Sequence, residues 1–502
     1  MKALISPRAM RDCEQNYFQS SAVRSIDVME RAAQALADDI SAQLPEGASI
    51  LFACGTGGNG GDGTACARLL SGRYRCTIVQ PHPPRTPDAI ENLRRARECG
   101  IPILPADSIA SEATARPDAW VDALFGTGLT RAPSGPEAAL IRRINADRLR
   151  GARVYAADIP SGLNGQTGRA FPDCVHAHRT VTFQFLKSGL VLADGLDVCG
   201  EIAVRDVGFP PEAFPEDVFD ARLIEPEDLP RLLPTRPRNV HKGSCGHLLI
   251  VAGSFGMAGA AALCARAALR SGAGLVTVAC VQSIVPILQT LAPGAMCIPL
   301  EERDGAIAPG ACPALEDALK GKSAVVIGCG LSRRAAVETV GTVLASGLPA
   351  VVDADALNLL AAHREMQALL RPHHVITPHP GEAARLMDRL DTGDPIGAAH
   401  ALNDLGATVL YKGASTVVCA PGESVFVSAS GCCGMARGGS GDILSGILGA
   451  LLADPMLTQP GLCAALASEL HGLAGECAQS RYGSRSMNAA DILEFLPEVF
   501  PG

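Results

Sequence analysis

Two glycine-rich segments, one in each half of the chain, each set an aspartate at the start of a predicted helix. The first is Gly55-Thr56-Gly57-Gly58-Asn59-Gly60-Gly61-Asp62-Gly63 and the second is Gly438-Gly439-Ser440-Gly441-Asp442. A helix start offers backbone N–H groups with no internal partner, and glycine lets a ligand approach them closely. Such a place binds phosphate or a polar substrate. Gly55, Gly57 and Gly60 keep dinucleotide-loop spacing, a weak signal alone, and Asn59 and Asp62 are unusual in such a loop. Gly321-Lys322-Ser323 is not a phosphate loop of the Walker type, because Glu316 stands where the leading glycine belongs. In the second segment, residues 438–441 would form an anion hole for a transferring phosphoryl group. Asp442 would accept the proton of an attacking hydroxyl.

Further polar residues close predicted strands. Asp122 ends one, and Asp158 ends another in Asp158-Ile159-Pro160-Ser161-Gly162. Asn59, Asp122 and Ser161 offer oxygen donors of low total charge, which suit a hard cation, a monovalent one included; hydrogen bonds among turns are the alternative. Asp158 is a candidate general base held by a rigid proline turn. Lys412 either neutralises phosphate charge or is a solvated surface lysine. His379, between Pro378 and Pro380, is rigid enough for a ligand contact.

These residues need a scaffold of strands feeding helices. Residues 8–43 carry apolar positions at helical spacing. Strands are predicted at 49–54, 76–79, 120–125, 154–159, 180–185 and 201–207, with helices at 65–70 and 87–99. This alternation predicts a mostly parallel sheet with helices on both faces and ligands at the carboxyl edge. A proline- and acid-rich stretch, 210–237, reads as a linker and places a boundary near 220, giving domains 1–220 and 221–502. The second half restarts with strands at 247–252, 275–279, 324–327, 350–352, 375–376 and 408–411. Helices are predicted at 259–271, 443–452 and 462–478.

Composition narrows the function classes. The 502 residues suit about three domains or two large ones, and 53 glycines with 4% aromatics suit α/β turns. A net charge of −9 argues against a general polyanion-binding surface, so no nucleic-acid partner is expected. The 18 scattered cysteines, with no CxxC pair and one adjacent pair at Cys432-Cys433, read as free thiols in a reducing cytoplasm. No targeting segment and no membrane span are evident, so a soluble cytoplasmic protein is expected.

Residues 57–63, the run Asp122-Ala123-Leu124-Phe125-Gly126-Thr127-Gly128-Leu129, and residues 158–162 resemble the NAD(P)H-hydrate epimerase domain. The family loop has two adjacent asparagines where this chain has Gly58-Asn59. The resemblance implies that Gly58, Asn59, Gly60, Gly61, Asp62, Gly126, Thr127, Gly128, Leu129, Thr130, Arg131, Ala132 and Asp158 hold the substrate. It implies K+ on Asn59, Asp122 and Ser161, with Asp158 transferring the proton. His241-Lys242-Gly243, 253–261, 272–277, 377–382, 412–416 and 438–442 resemble the ADP-dependent (S)-NAD(P)H-hydrate dehydratase. That resemblance implies adenine nucleotide on Lys412, Gly413, Ala414, Ser415, Thr416 and Gly441. It also implies hydrated nicotinamide nucleotide on Ala260, Gly330, His379 and Asp442, with Mg2+ assisting. Expected together are a Rossmann-like parallel-sheet domain and a ribokinase-like α/β domain. The expected substrates are NADHX, NADPHX and ADP, and the expected assembly is a homo-oligomer. The rival reading is a ribokinase-like small-molecule kinase with a non-catalytic nucleotide- or protein-binding module.

Overall fold

The computed structural model describes residues 1–109 and 116–501. The chain forms two compact units, Ala3–Ala221 and Arg222–Gly502, the second also holding Met1–Lys2. Among the described residues no helix is long and apolar enough to cross a membrane.

The N-terminal unit is built on a parallel sheet of seven strands. Their order is Ile103–Pro105, Arg75–Gln80, Ser49–Cys54, Ala119–Ala123, Arg153–Ala157, Arg179–Phe183 and Glu201–Arg205. Such strands are buried on both faces and read as near-continuous apolar runs. Alternate residues nonetheless serve different cores. Phe52 and Val121 join one cluster with Ala33, Leu36 and Ile40 of the helix Ser25–Ser41. Ala53 and Trp120 join another with Leu140, Ile141 and Ile144 of the helix Gly135–Leu149. The chain moves outward from Ser49–Cys54, then returns to its other side at Ala119–Ala123. The strand order therefore reverses between these two, and a crevice opens at their carboxyl ends.

The helical region at 8–43 is two helices, Pro7–Ser20 and Ser25–Ser41. The helix after the first glycine segment begins at Gly58, seven residues before its predicted start. Two thirds of that segment, Gly58 to Gly63, is thus helix, and Asp62 sits a turn inside it. The glycine content hid this, because glycine is a poor helix former.

In the C-terminal unit the parallel strands run Met296–Leu300, Leu275–Val281, His247–Val251, Ala324–Ile327, Ala350–Val352, His374–Ile376 and Thr408–Tyr411. Thr416–Cys419 and Phe426–Ser428 extend the sheet antiparallel, so residues 412–415 form a hairpin turn. The order reverses between His247–Val251 and Ala324–Ile327. Helix Ser440–Ala453 crosses helix Ala258–Arg270 closely. A Cβ at Gly446 would lie 2.2 Å from the Cys264 carbonyl oxygen, and one at Gly449 2.4 Å from Val326. Helix and sheet together fix where Asp442 stands.

The linker expected at 210–237 is only partly irregular. Its prolines begin single turns at Pro211–Ala213 and Pro226–Asp228, and between them lies the strand Phe219–Ile224. Arg222, Leu223 and Ile224 pair with Phe426–Ser428. That strand contains no proline, so every residue keeps the N–H that a ladder requires.

Candidate active sites

A cavity of about 450 Å³ opens at the switch point of the N-terminal sheet. Its floor is Gly57, Gly58, Asn59 and Asp62, and one wall is the Phe125–Leu129 turn. Gly60 and Gly61 lie behind the lining. A Cβ on Gly60 would sit 2.0 Å from the Gly55 carbonyl oxygen, and one on Gly61 2.7 Å from Met29. Both glycines let the helix start pack close rather than face the cavity. Thr130, Arg131 and Ala132 continue the turn outside the lining and are exposed.

The three predicted cation ligands converge. Asp122 is fully buried and accepts hydrogen bonds from the Ser161 amide at 2.7 Å and hydroxyl at 2.6 Å. Burial pushes its carboxyl up to about 6 despite these bonds. Ser161 Oγ also accepts from the Phe125 amide at 2.9 Å, and Asn59 Nδ2 donates to the Phe125 carbonyl at 2.9 Å. Asn59 Oδ1 is buried with no hydrogen-bond partner among the described residues. A buried acceptor left unsatisfied is expensive, so it marks a place for a donor or a cation.

Asp158 is buried at the end of Arg153–Ala157 with φ of 65°, a conformation Asp tolerates better than most residues. Its Oδ1 lies 2.6 Å from Lys187 Nζ and accepts from Thr182 Oγ1 at 3.0 Å. Lys187, 1% exposed, also donates to Thr182 Oγ1 and the Phe183 carbonyl. The sequence reading missed Lys187. Its signal was a lone lysine inside the apolar run Phe185-Leu186-Lys187-Ser188-Gly189-Leu190. It also missed Glu14, which lines the cavity from the helix Pro7–Ser20.

In the C-terminal unit, Gly439 caps the helix Ser440–Ala453 with φ of 99° and no side-chain cap, and Asp442 lies in the first turn. Burial pushes the Asp442 carboxyl up to about 6, and the charge of Asp353 adds to the rise. Asp353, unassigned from the sequence, is fully buried and organises the site. It accepts from Lys412 Nζ, Thr377 Oγ1 and Ser445 Oγ, each at 2.7 Å. Burial opposes its charge, but Lys412 and the two hydroxyls hold the carboxyl below its ordinary value. Its signal was present, since it closes the strand Ala350–Val352 much as Asp158 closes its own.

Lys412 is therefore no solvated surface lysine. Its Nζ also lies 3.8 Å from Glu382 Oε2, and a Cβ at Gly441 would be 3.7 Å from it. Ser415 Oγ in the adjoining turn is buried and unpartnered, whereas Gly413 and Ala414 are exposed. His379 caps the helix Pro380–Leu386 by accepting from the Gly381 amide, and Glu382 Oε2 accepts from the His379 amide. Gly330 and Ala260 touch, since a Cβ on the first would lie 2.9 Å from that of the second. Behind the second glycine segment, Ser440 Oγ meets the buried His471 Nε2 at 3.3 Å. Burial and the nearby Lys412 push that imidazole down to about 4.

Two family models match the chain: YjeF-related protein N-terminus over residues 25–189, and NAD(P)H-hydrate dehydratase over residues 248–498. A bifunctional NAD(P)H-hydrate repair enzyme of Moorella thermoacetica is 38% identical, covering 95% of this chain and 92% of its own. The chain belongs to this family. The bifunctional NAD(P)H-hydrate repair enzyme of Coxiella burnetii is 35% identical over 99% of both chains. A ribokinase-like superfamily protein of Enterococcus faecalis, 25% identical, superposes with a TM-score of 0.50 over 56% of this chain and 95% of its own. The C-terminal unit is accordingly ribokinase-like. Bifunctional NAD(P)H-hydrate repair enzymes matched along the whole chain do not favour the rival reading of a kinase with a non-catalytic module.

Proposed function

We propose that this chain repairs hydrated NADH and NADPH at two sites, one in residues 1–220 and one in residues 221–502. The N-terminal site interconverts the R and S hydrates. The C-terminal site uses ADP to dehydrate the S hydrate, giving NAD(P)H, AMP and phosphate. One observation carries the reading: each unit pairs an aspartate with a glycine-led helix start, Asp158 lining the cavity with Gly57 and Gly58, and Asp442 in the first turn after Gly439.

In the N-terminal site, Gly58, Asn59, Asp62 and residues 126–129 hold the nucleotide, and Asp158 moves a proton at the carbon-bound hydroxyl. Potassium suits Asn59, Asp122 and Ser161. The orphaned Asn59 Oδ1 needs a partner, and the donors are neutral or a single carboxylate. Bound there, the cation would neutralise Asp122 and fix the Phe125–Leu129 turn. Asn59→Ala is expected to raise the potassium concentration giving half-maximal epimerisation several-fold, read by chromatography of the epimers. An unchanged potassium dependence would remove the cation from this site.

In the C-terminal site, Asp442 takes the proton of the substrate hydroxyl as its oxygen attacks the β-phosphorus of ADP. The N–H groups at the start of Ser440–Ala453 receive the charge of the transferring group. Phosphate then leaves where hydroxide would leave poorly. Ala260, Gly330 and His379 contact the nicotinamide nucleotide. Gly441 and residues 412–416 line the adenine nucleotide, with Ser415 Oγ the buried group in want of a partner. Magnesium would fit the carboxylate of Glu382, whose Oε2 lies 3.8 Å from Lys412 Nζ, and would neutralise phosphate charge. The 18 unpaired cysteines, most of them buried, suit a reducing compartment such as the cytoplasm.

Incubating the pure S hydrate with ADP or ATP tests the dehydratase. Equal amounts of AMP, phosphate and reduced nicotinamide are expected from ADP, faster than the turnover with ATP. A stable phosphorylated product would overturn the reading.

A further inference from the structure

Inverting a carbon that bears a hydroxyl beside a ring nitrogen calls for two proton transfers. An acid protonates the hydroxyl, the C–O bond breaks, water departs and the nitrogen lone pair forms a C=N bond. Water then adds to the opposite face, the C–O bond re-forms, and a base takes the extra proton. Nothing is oxidised or reduced, and solvent returns the proton from base to acid between turnovers. Asp158 is one such group. We propose that Glu14 is the second proton-transfer residue of the N-terminal site, an inference that rests on the epimerase reading.

Glu14 and Asp158 reach one cavity from different elements, the helix Pro7–Ser20 and the end of Arg153–Ala157. Met10, Arg11 and Glu14 fall at i, i+1 and i+4, so they share one helix face, and all three line the cavity. Arg11 donates to the Thr127 carbonyl, tying that face to the turn at the opposite rim. The charged groups around Glu14 are Arg11 on its own helix, Asp62 on Gly58–Leu70, Asp158, and Lys187. Lys187 is committed to Asp158, Thr182 and Phe183. Among the described residues no donor or cation pairs with the Glu14 carboxyl, which leaves it facing the cavity. Burial pushes it up to about 7; Asp158 adds to the rise, and Lys187 and Arg11 oppose it. It can therefore both give and take a proton near neutral pH. Burial, with the charges of Asp158 and Glu14, pushes the Asp62 carboxyl well above its ordinary value.

The test uses the full-length chain with potassium and a single hydrate epimer, following interconversion by chromatography from pH 5.5 to 9. The acid form of Glu14 is the active one, so the wild-type rate is expected to fall as pH rises through about 7. Glu14→Gln is expected to lose about 100-fold in rate and to lose that alkaline fall. Glu14→Asp should recover part of the rate with the fall restored. ADP-dependent turnover of the S hydrate should not change. A wild-type rate in Glu14→Gln, or a slow rate that still falls near pH 7, would overturn the proposal. Asp158→Asn separates the two levels. If it is slow while Glu14→Gln is fast, only the Glu14 assignment fails. If both are fast, the Asp158 assignment fails with it, and a wild type that does not interconvert the epimers would sink the epimerase reading itself. An amide replacing a buried carboxyl that folding favours in its neutral form should not lower the unfolding midpoint at pH 8.

Discussion

Replacing Asp442 by asparagine is expected to slow ADP-dependent turnover of the S hydrate by about 10²–10⁴-fold, the usual worth of a general base. The loss should fall on kcat, because asparagine keeps the shape and position of the side chain in the first helical turn. The same chemistry fixes a pH dependence. Burial and the Asp353 charge push the Asp442 carboxyl up to about 6, and a base must be ionised. Wild-type kcat/KM for the S hydrate should therefore rise as pH rises through about 6 and level off above it. The stability sign runs the other way. A carboxyl raised on folding contributes stability below its unfolded pKa, and that contribution is lost as pH rises through the folded value. Asp442→Asn should thus melt no lower than wild type at pH 8. Steady-state absorbance of reduced nicotinamide, with thermal unfolding alongside, measures both. Turnover within about threefold of wild type would remove Asp442 from the chemistry.

Asp158→Asn is expected to slow epimerisation by a similar factor of about 10²–10⁴. Asparagine is the informative replacement, since Asp158 holds φ of 65° and asparagine also tolerates that conformation. The substitution carries a second effect. It strips the buried Lys187 of its carboxylate, and breaking a buried ion pair destabilises by about 3–5 kcal/mol. The N-terminal unit should consequently unfold at lower temperature. Adding Lys187→Met removes the stranded charge, so the double variant should regain stability without regaining epimerisation. That split separates the proton-transfer role of Asp158 from its structural one. Recovery of both properties together would make Asp158 a purely structural residue.

The strand-to-helix rhythm was legible because parallel strands are apolar throughout and end abruptly in glycine or aspartate. That pattern located the strand ends at Asp122 and Asp158 and the helix start at Asp442. The strand Phe219–Ile224 was hidden by prolines on either side of it, which say nothing about the residues between. The antiparallel extension Thr416–Cys419 and Phe426–Ser428 was too short for its alternation to register. Lys412 was ambiguous because a lysine's burial depends on a partner distant in sequence, here Asp353, 59 residues away. Glu14 had the least signal of all: a single acid on an amphipathic helix looks the same whether it faces solvent or a cavity. Gly60 and Gly61 carried the converse ambiguity, since a glycine required for close packing has the same letter as one required for a ligand.

The central claim is that two sites in one chain act on one substrate in succession. It is tested most directly by following reduced nicotinamide formed from a mixture of R and S hydrates with excess ADP, potassium and magnesium. Wild type should convert the whole mixture. Asp158→Asn should convert the S portion at the wild-type pace and then stall, and Asp442→Asn should form almost none. Equal amounts of the two variants together should again convert the whole mixture. Complete conversion by Asp158→Asn alone at the wild-type pace would contradict the account, because the R hydrate would then reach product without the N-terminal site.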